Sequence, residues 1–204
     1  YIRVMTTLFA PPRPLRSALA CVAVAASLAA PSVRAQGAFP ITKLASDVYL
    51  IVAPSGNMVA QIGPSGVVLA GAQSMASTPG VVAALRSVSG APIRYVLFAP
   101  GDSMGDEQDA GWSERNTTIA AHERMKMTAP HVVSALGFSE VLQIYLDGQS
   151  VHAVHQPAGH TRADIIVHFE SRRVLYLGYA FVANGYPRID VKAGASIDSL
   201  VTEV

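Results

Sequence analysis

The chain has 204 residues, of which half are hydrophobic and 14% are charged. This composition supports one domain with a sizeable core and excludes an intrinsically disordered chain. The formal net charge is +1, so the sequence lacks the basic surface of a nucleic-acid-binding protein and the polybasic patch that binds anionic membranes. We therefore expect no nucleic-acid partner.

Residues 1–35 have the pattern of an export signal. Arg13 and Arg16 form a basic start, residues 17–30 are uncharged and rich in Ala and Val, and residues 33–35 form a small-x-small cleavage site. The apolar run is shorter than the ~20 strongly apolar residues that a membrane span needs. We expect a cleaved signal peptide, no stable membrane span after cleavage, and an exported protein, either periplasmic or secreted.

The mature part is then a single domain, residues 36–204. Cys21 is the only cysteine, and it lies in the apolar run of the signal. A chain cleaved after Ala35 has no cysteine, which excludes both disulfides and thiolate metal ligands.

The mature domain begins with strand patterns and continues with a helix. Val48–Val52, Met58–Ile62 and Val67–Ala70 are short apolar runs separated by Gly/Pro turns, which predicts an antiparallel meander. Apolar residues at helical spacing follow, with Thr78 as the predicted N-cap and Gly90 as the predicted stop.

The rest of the domain is predicted to be mostly strands. Ile93–Phe98 is an apolar run of the buried-strand type, and Thr118–Ala121 is another short strand. Four further strands are separated by Asp-Gly and Ser-Arg-Arg turns: Val141–Leu146, Val151–His155, Asp164–Phe169 and Val174–Leu177. Ser196 is the predicted cap of a last helix. This order predicts an α/β (mixed α+β) fold in which helices cover mixed sheets.

The sharpest local signal for chemistry is the Gly-His pair at Gly159 and His160, in a loop before a predicted strand. An imidazole at the start of a strand is free of ladder hydrogen bonds and is a good metal-ligand position. Asp164 could orient this ring from behind. On local context alone, the commoner explanation is a loop histidine that is hydrogen-bonded to the backbone.

Several stretches in order resemble the metallo-β-lactamase superfamily, in particular its exported metallo-hydrolases. They extend over about residues 41–200 and include Gly63–Leu69, Pro92–Val96, His155–Thr161 and Gly185–Asp190. The resemblance implies a four-layer αβ/βα sandwich, here truncated in its C-terminal part. It also implies one or two zinc ions at the edge of the sheets, which activate water to hydrolyse esters, amides, thioesters or phosphoesters.

The main metal motif that the resemblance implies is degenerate. The family motif H-x-H-x-D-H follows the strand that here ends at Phe98, and this sequence has Pro100-Gly101-Asp102-Ser103-Met104-Gly105 at that place. The third ligand histidine of the family matches His160. Only His160 keeps its residue type, and Asp102 is a plausible oxygen donor that does not restore the site.

The remaining ligand positions implied by the resemblance are also changed. The bridging aspartate falls on Tyr179, an aspartate that ends the third strand falls on Gly71, and the last ligand histidine would lie beyond Val204. We expect a pocket where zinc would sit, next to His160 and Asp102. Its expected lining residues are Pro100, Tyr179, Tyr186 and His122.

Other candidate ligands have weaker patterns. His152 and His155 lie on one predicted strand, where we expect them to share a face, and a solvated face fits this pattern better than a metal site. Asp106, Glu107 and Asp109 form an acidic cluster whose spacing matches no EF-hand. The sequence has no Gly-x-Ser-x-Gly, no Ser-x-x-Lys and no Gly-rich phosphate loop.

Three functions stay open. The first is an active metal-dependent hydrolase with an atypical site around His160 and Asp102. The second is a protein of zinc-hydrolase descent that has lost most ligands, with weak or absent zinc and little or no hydrolase activity. The third is a non-catalytic binding protein or a gene fragment. The changed ligands favour the second and third, and the sequence identifies no small-molecule substrate.

Overall fold

The computed structural model describes residues 37–54, 56–71, 74–99, 112, 115–125, 136–156 and 159–203. The expected signal peptide, the acidic cluster, Pro100 and Asp102 lie outside the described residues. Within the described residues, no helix is long and apolar enough to cross a membrane.

The first sheet has seven strands that follow one another in chain order. They are β1 Ile41–Lys43, β2 Val48–Ala53, β3 Gly56–Gly63, β4 Gly66–Ala70, β5 Ile93–Phe98, β6 Thr118–His122 and β7 Leu136–Phe138. Strands β1 to β4 form the predicted antiparallel meander, whereas β4 to β7 are parallel. Parallel neighbours need a crossover connection, and α1, Thr78–Arg86, lies in the one between β4 and β5.

The second sheet has four antiparallel strands in the order β11-β10-β9-β8. They are β8 Val141–Leu146, β9 Gln149–His155, β10 Ile165–Phe169 and β11 Val174–Tyr176. The predicted Asp-Gly turn is a two-residue hairpin loop in which Asp147 and Gly148 have φ of 54° and 73°, as a type I′ turn requires. A last helix, α2, covers Ile197–Glu203, and the Ser196 hydroxyl caps it by accepting the N–H of Ser199 at 3.0 Å.

The first sheet is buried on both faces, which explains why every residue of β4 is buried and none is charged. On one face Val67 and Leu69 belong to a core cluster with Val81 and Leu85 of α1. On the other face Val68 belongs to a second cluster, with inward-facing residues of the second sheet such as Val151, Val167 and Phe169. The described layers are therefore helix, seven-stranded sheet and four-stranded sheet.

The boundaries of α1 differ from the prediction. The N-cap is Ser77 and not Thr78, although the Ser77 side chain makes no capping hydrogen bond. The Thr78 hydroxyl donates to the carbonyl oxygen of Ser74 at 3.2 Å. The helix ends at Arg86, four residues before Gly90. The hydroxyl of Ser87 donates to a carbonyl of the last turn at 2.6 Å, and this kind of local bond competes with continued helix.

Two polar contacts join the turns of the two sheets. The N–H of Ser65, in the β3–β4 turn, donates to Oδ2 of Asp147 in the β8–β9 turn at 2.9 Å. Arg172, after β10, binds both carboxylate oxygens of Asp47, before β2. The hydrogen bond to Asp47 raises the pKa of Arg172. These contacts fix the sheets relative to each other near the ends of their strands.

Candidate functional site

His160 lies in the loop that joins β9 to β10, and its residue is 3% exposed. Its Nδ1 is 2.6 Å from the carbonyl oxygen of Arg188. A carbonyl can only accept, so Nδ1 carries the proton and Nε2 has the lone pair. This is the arrangement of a metal-binding imidazole supported by a backbone carbonyl, so the tautomer of His160 suits a ligand.

Asp164 holds the backbone of this loop. Its carboxylate is 7% exposed and accepts the backbone N–H of His160, the backbone N–H of Thr161 at 3.0 Å and the hydroxyl of Thr161 at 2.7 Å. Asp164 therefore positions His160 through the backbone N–H of that residue. Asp164 binds the main chain of the loop, and the ring is held by Arg188, which is 28 residues away in the chain.

Tyr179 stands where the resemblance places a bridging aspartate. Its ring stacks on the imidazole of His160, with centroids 5.1 Å apart and planes 26° apart. A Cβ built on Gly56 would lie 3.7 Å from the Tyr179 hydroxyl, so this hydroxyl extends towards β3. Tyr179 thus presents the face of an aromatic ring to His160, where a zinc centre has a carboxylate.

Tyr176, at the end of β11, lies beside the position of the second changed aspartate. A Cβ built on Gly71 would be 2.9 Å from the Tyr176 hydroxyl, and Gly71 has φ +99°. Burial, and to a lesser extent the neighbouring Tyr179, raises the pKa of the Tyr176 phenol. The phenol is therefore neutral at ordinary pH, and it does not supply the anionic oxygen that a metal site gains from aspartate.

A small cavity lies next to Tyr179. It is lined by Ala99, Gln156, Asp164 and Gly178 together with neighbouring residues, and its volume is about 10 Å³. This space holds about one water molecule, whereas ligand pockets measure ~300–1,000 Å³. The described walls of this cavity therefore do not enclose a substrate.

The residues that the structure describes do not fit a catalytic zinc ion. None of their His, Cys, Asp and Glu side chains form a group of three or more that could hold a metal, whereas a catalytic zinc takes three protein ligands and a water. His160 has the right tautomer, but Tyr179 and Gly71 supply no anionic oxygen. Pro100 and Asp102 lie outside the described residues.

Two further residues, Tyr186 and His122, were predicted to line the pocket. Tyr186 is 97% exposed. His122 is 2% exposed at the end of β6, where its ring stacks on His155 and not on His160, with centroids 3.7 Å apart and planes 9° apart.

The expectation that His152 and His155 share a face is wrong. Three positions separate them, and an odd spacing puts two side chains on opposite faces of a strand. His152 lies directly across from Gln143 and His168, whereas His155 faces the first sheet and meets His122. The sequence did not predict this pair because its members lie on strands of different sheets. The one feature that could have indicated it is that each histidine ends a strand.

The comparison with solved structures indicates one architecture. No protein-family model and no curated protein matches the sequence. Among solved structures, the chain is similar to a metallo-beta-lactamase from Pontibacter korlensis, with TM-score 0.63, 16% identity and coverage of 79% of this chain and 81% of that chain. It is also similar to a metallo beta lactamase from Hirschia baltica, with TM-score 0.57, 18% identity and coverage of 76% of this chain and 80% of that chain. A third similar structure is BJP-1, a subclass B3 metallo-beta-lactamase of Bradyrhizobium japonicum, with TM-score 0.59, 16% identity and coverage of 83% of this chain and 73% of that chain.

Proposed function

We propose that this chain, which has the αβ/βα fold of the metallo-β-lactamase superfamily, is a protein of zinc-hydrolase descent with little or no hydrolase activity. The fold supports the descent, and the changed ligand positions support the loss of activity. In this proposal zinc binds weakly or not at all, and the loop of His160 persists as a structural element held by Asp164.

The observation that carries the proposal is the stacking of Tyr179 on His160. When bound, zinc in this family lowers the pKa of a water molecule and polarises the scissile group. Imidazoles and carboxylates hold the ion because they donate lone pairs to it. The ring face of a phenol covers the imidazole but gives no such lone pair. A tyrosine at position 179 therefore removes one ligand, and its ring packs against His160, the ligand residue that is kept.

The first test is the metal content of the purified protein after dialysis against metal-free buffer. We expect well below one zinc ion per chain, and no change in the His160→Ala variant. The Tyr179→Asp variant restores the carboxylate that the fold family implies, and we expect it to retain more zinc than the parent chain. His168→Ala removes a histidine of the second sheet that lies opposite His152 and serves as the matched control.

About one or two tightly held zinc ions per chain, lost in His160→Ala and kept in His168→Ala, would contradict this proposal. That result would favour the alternative, an active hydrolase with an atypical site around His160 and Asp102. One observation supports this alternative, namely the ligand-like tautomer of His160. A screen of ester, amide, thioester and phosphoester substrates would then follow. Finding neither metal nor hydrolysis is the result that the proposal expects, and the search would then turn to a partner of a non-catalytic binding protein.

We also propose that the protein is exported and acts in the periplasm or outside the cell, without a nucleic-acid partner. The basic start, the apolar run and the cleavage site within residues 1–35 support export. Expressed in a bacterium, the protein is expected in the periplasmic fraction or medium with Gln36 as its first residue, as read by N-terminal sequencing. A full-length chain that stays in the cytoplasm would contradict the proposal. Replacing Arg13 and Arg16 by Glu is the matched control that should block export.

A further inference from the structure

The chain crosses from the first sheet to the second at Ser139 and Glu140, between β7 and β8. Two histidines hold the carbonyl groups of this crossover. Nε2 of His122 lies 2.8 Å from the oxygen of Ser139, and the backbone N–H of His155 donates to the oxygen of Glu140 at 2.8 Å. His122 ends β6 in the first sheet and His155 ends β9 in the second, so the stacked pair bridges the sheets at the crossover.

The hydrogen bonds define the proton positions in this pair. Nδ1 of His122 accepts the backbone N–H of Arg124 at 3.2 Å, so the ring proton is on Nε2 and is donated to Ser139. Nε2 of His155 lies 3.0 Å from the carbonyl oxygen of Arg162 and carries the proton there too. A second proton on His122 would have to bind Nδ1, at which the N–H of Arg124 already points.

We propose that the stacked imidazoles of His122 and His155 form an acid-sensitive latch that holds the crossover between the two sheets. A proton added to Nδ1 of His122 breaks its bond to Arg124. It also places a positive charge 3.7 Å from the second imidazole, measured between ring centroids. The positive charge weakens the contact between the end of β6 and the end of β9, and the lost bond removes a local support of the His122 ring. The proposal does not depend on whether zinc binds at His160.

The electrostatic surroundings oppose protonation of His122. Burial lowers the pKa of His122, the bond to Ser139 partly opposes this, and His155 and then Arg124 lower the pKa further, while Glu123 raises it. Four charged residues lie around the pair. Arg124 and Glu123 act electrostatically on His122. Glu140 and Arg162 contact His155 through their backbone carbonyls.

The direction of the pH effect follows from this lowered pKa. In the unfolded chain His122 takes up a proton near its ordinary pKa of about 6.5, whereas in the folded protein it does so only at lower pH. The unfolded state then binds more protons, and the stabilisation is lost as the pH falls below about 6.5. Above that pH the full contribution of the pair is present.

The test is thermal unfolding of the full chain, followed by the fluorescence of Trp112. This is the only tryptophan, and it is fully buried. We expect the melting temperature of the parent protein to fall by at least ~2 °C between about pH 7.5 and pH 5.5. His122→Phe keeps an aromatic ring that cannot titrate, so its decrease should be smaller. His168→Phe, the same change on the other side of the second sheet, should keep the full decrease.

Equal pH dependence of the parent and His122→Phe would overturn the proposal. Histidine NMR of the parent protein gives a second test that does not require the variant to fold. We expect the ring Cε1–H of His122 to titrate below the ordinary value of about 6.5. A midpoint at that ordinary value would equally overturn the latch, because His122 would then take up a proton as readily in the folded protein as in the unfolded chain.

Discussion

Asp164→Ala is expected to lower the free energy of unfolding by about 3–5 kcal/mol. The carboxylate is 7% exposed and accepts three donors, the backbone N–H of His160 and both the backbone N–H and the hydroxyl of Thr161. Alanine accepts none of them, so three donors in a buried loop lose their partner. Each unpaired buried donor costs about 1–3 kcal/mol, and bonds to a charged acceptor are at the upper end. Urea unfolding followed by Trp112 fluorescence measures the loss.

Asp190→Ala is the matched control for this prediction. Asp190 lies close to the same loop, since its backbone N–H donates to the carbonyl oxygen of His160 at 3.0 Å, and among the described residues its carboxylate accepts the N–H of Ala193. We expect Asp190→Ala to cost about 1 kcal/mol. Equal losses in the two variants would mean that the three bonds of Asp164 do not support the loop.

Gly71→Asp, which introduces the aspartate that the resemblance implies at this position, is expected to destabilise the chain by about 3–5 kcal/mol. Gly71 has φ +99°, where a side chain is strained, and a Cβ there would lie 2.9 Å from the hydroxyl of Tyr176 and 3.3 Å from Cγ of Met58. Strain costs about 1–3 kcal/mol and overpacking about 1–3 kcal/mol. Buried charge adds to this, and urea unfolding again gives the difference.

Gly148→Asp separates the two contributions. Gly148 has φ +73°, but nothing lies within 4 Å of the position of its Cβ, so this variant reports the backbone strain with no clash, about 1–2 kcal/mol. Tyr176→Phe in the Gly71→Asp background removes the closest oxygen and should recover part of the loss. If Gly71→Asp and Gly148→Asp are equally stable, the prediction is wrong, because the Tyr176 side chain then moves aside at no measurable cost.

The elements that could be predicted from the sequence are those that local pattern determines. The meander follows from short β-branched runs between Gly/Pro turns, and the β8–β9 hairpin follows from Asp147-Gly148, which the positive φ angles require. The resemblance supplied the architecture that the similar structures share. The start of α1 was missed by one residue because Ser77 and Thr78 are both good caps by residue type, so the sequence does not distinguish them.

The arrangement of the candidate site depends on contacts between distant parts of the chain, which local patterns do not contain. The ring of His160 is held by the backbone carbonyl of Arg188, in an irregular segment after β11, and no local pattern pairs these two residues. The pairing of His122 with His155 similarly requires that the two sheets pack face to face. In each case the histidine could be singled out from the sequence, but its contact partner depends on tertiary packing.

The contact between Tyr176 and Gly71 has a consequence for how this lineage can change. A hydroxyl that fills the space beside a glycine makes the two positions interdependent, so a chain that regains an aspartate at Gly71 in one step passes through a poorly folded form. Tyr176 has to become smaller before that step is tolerated. Geometry therefore constrains the order in which substitutions at these two positions are tolerated.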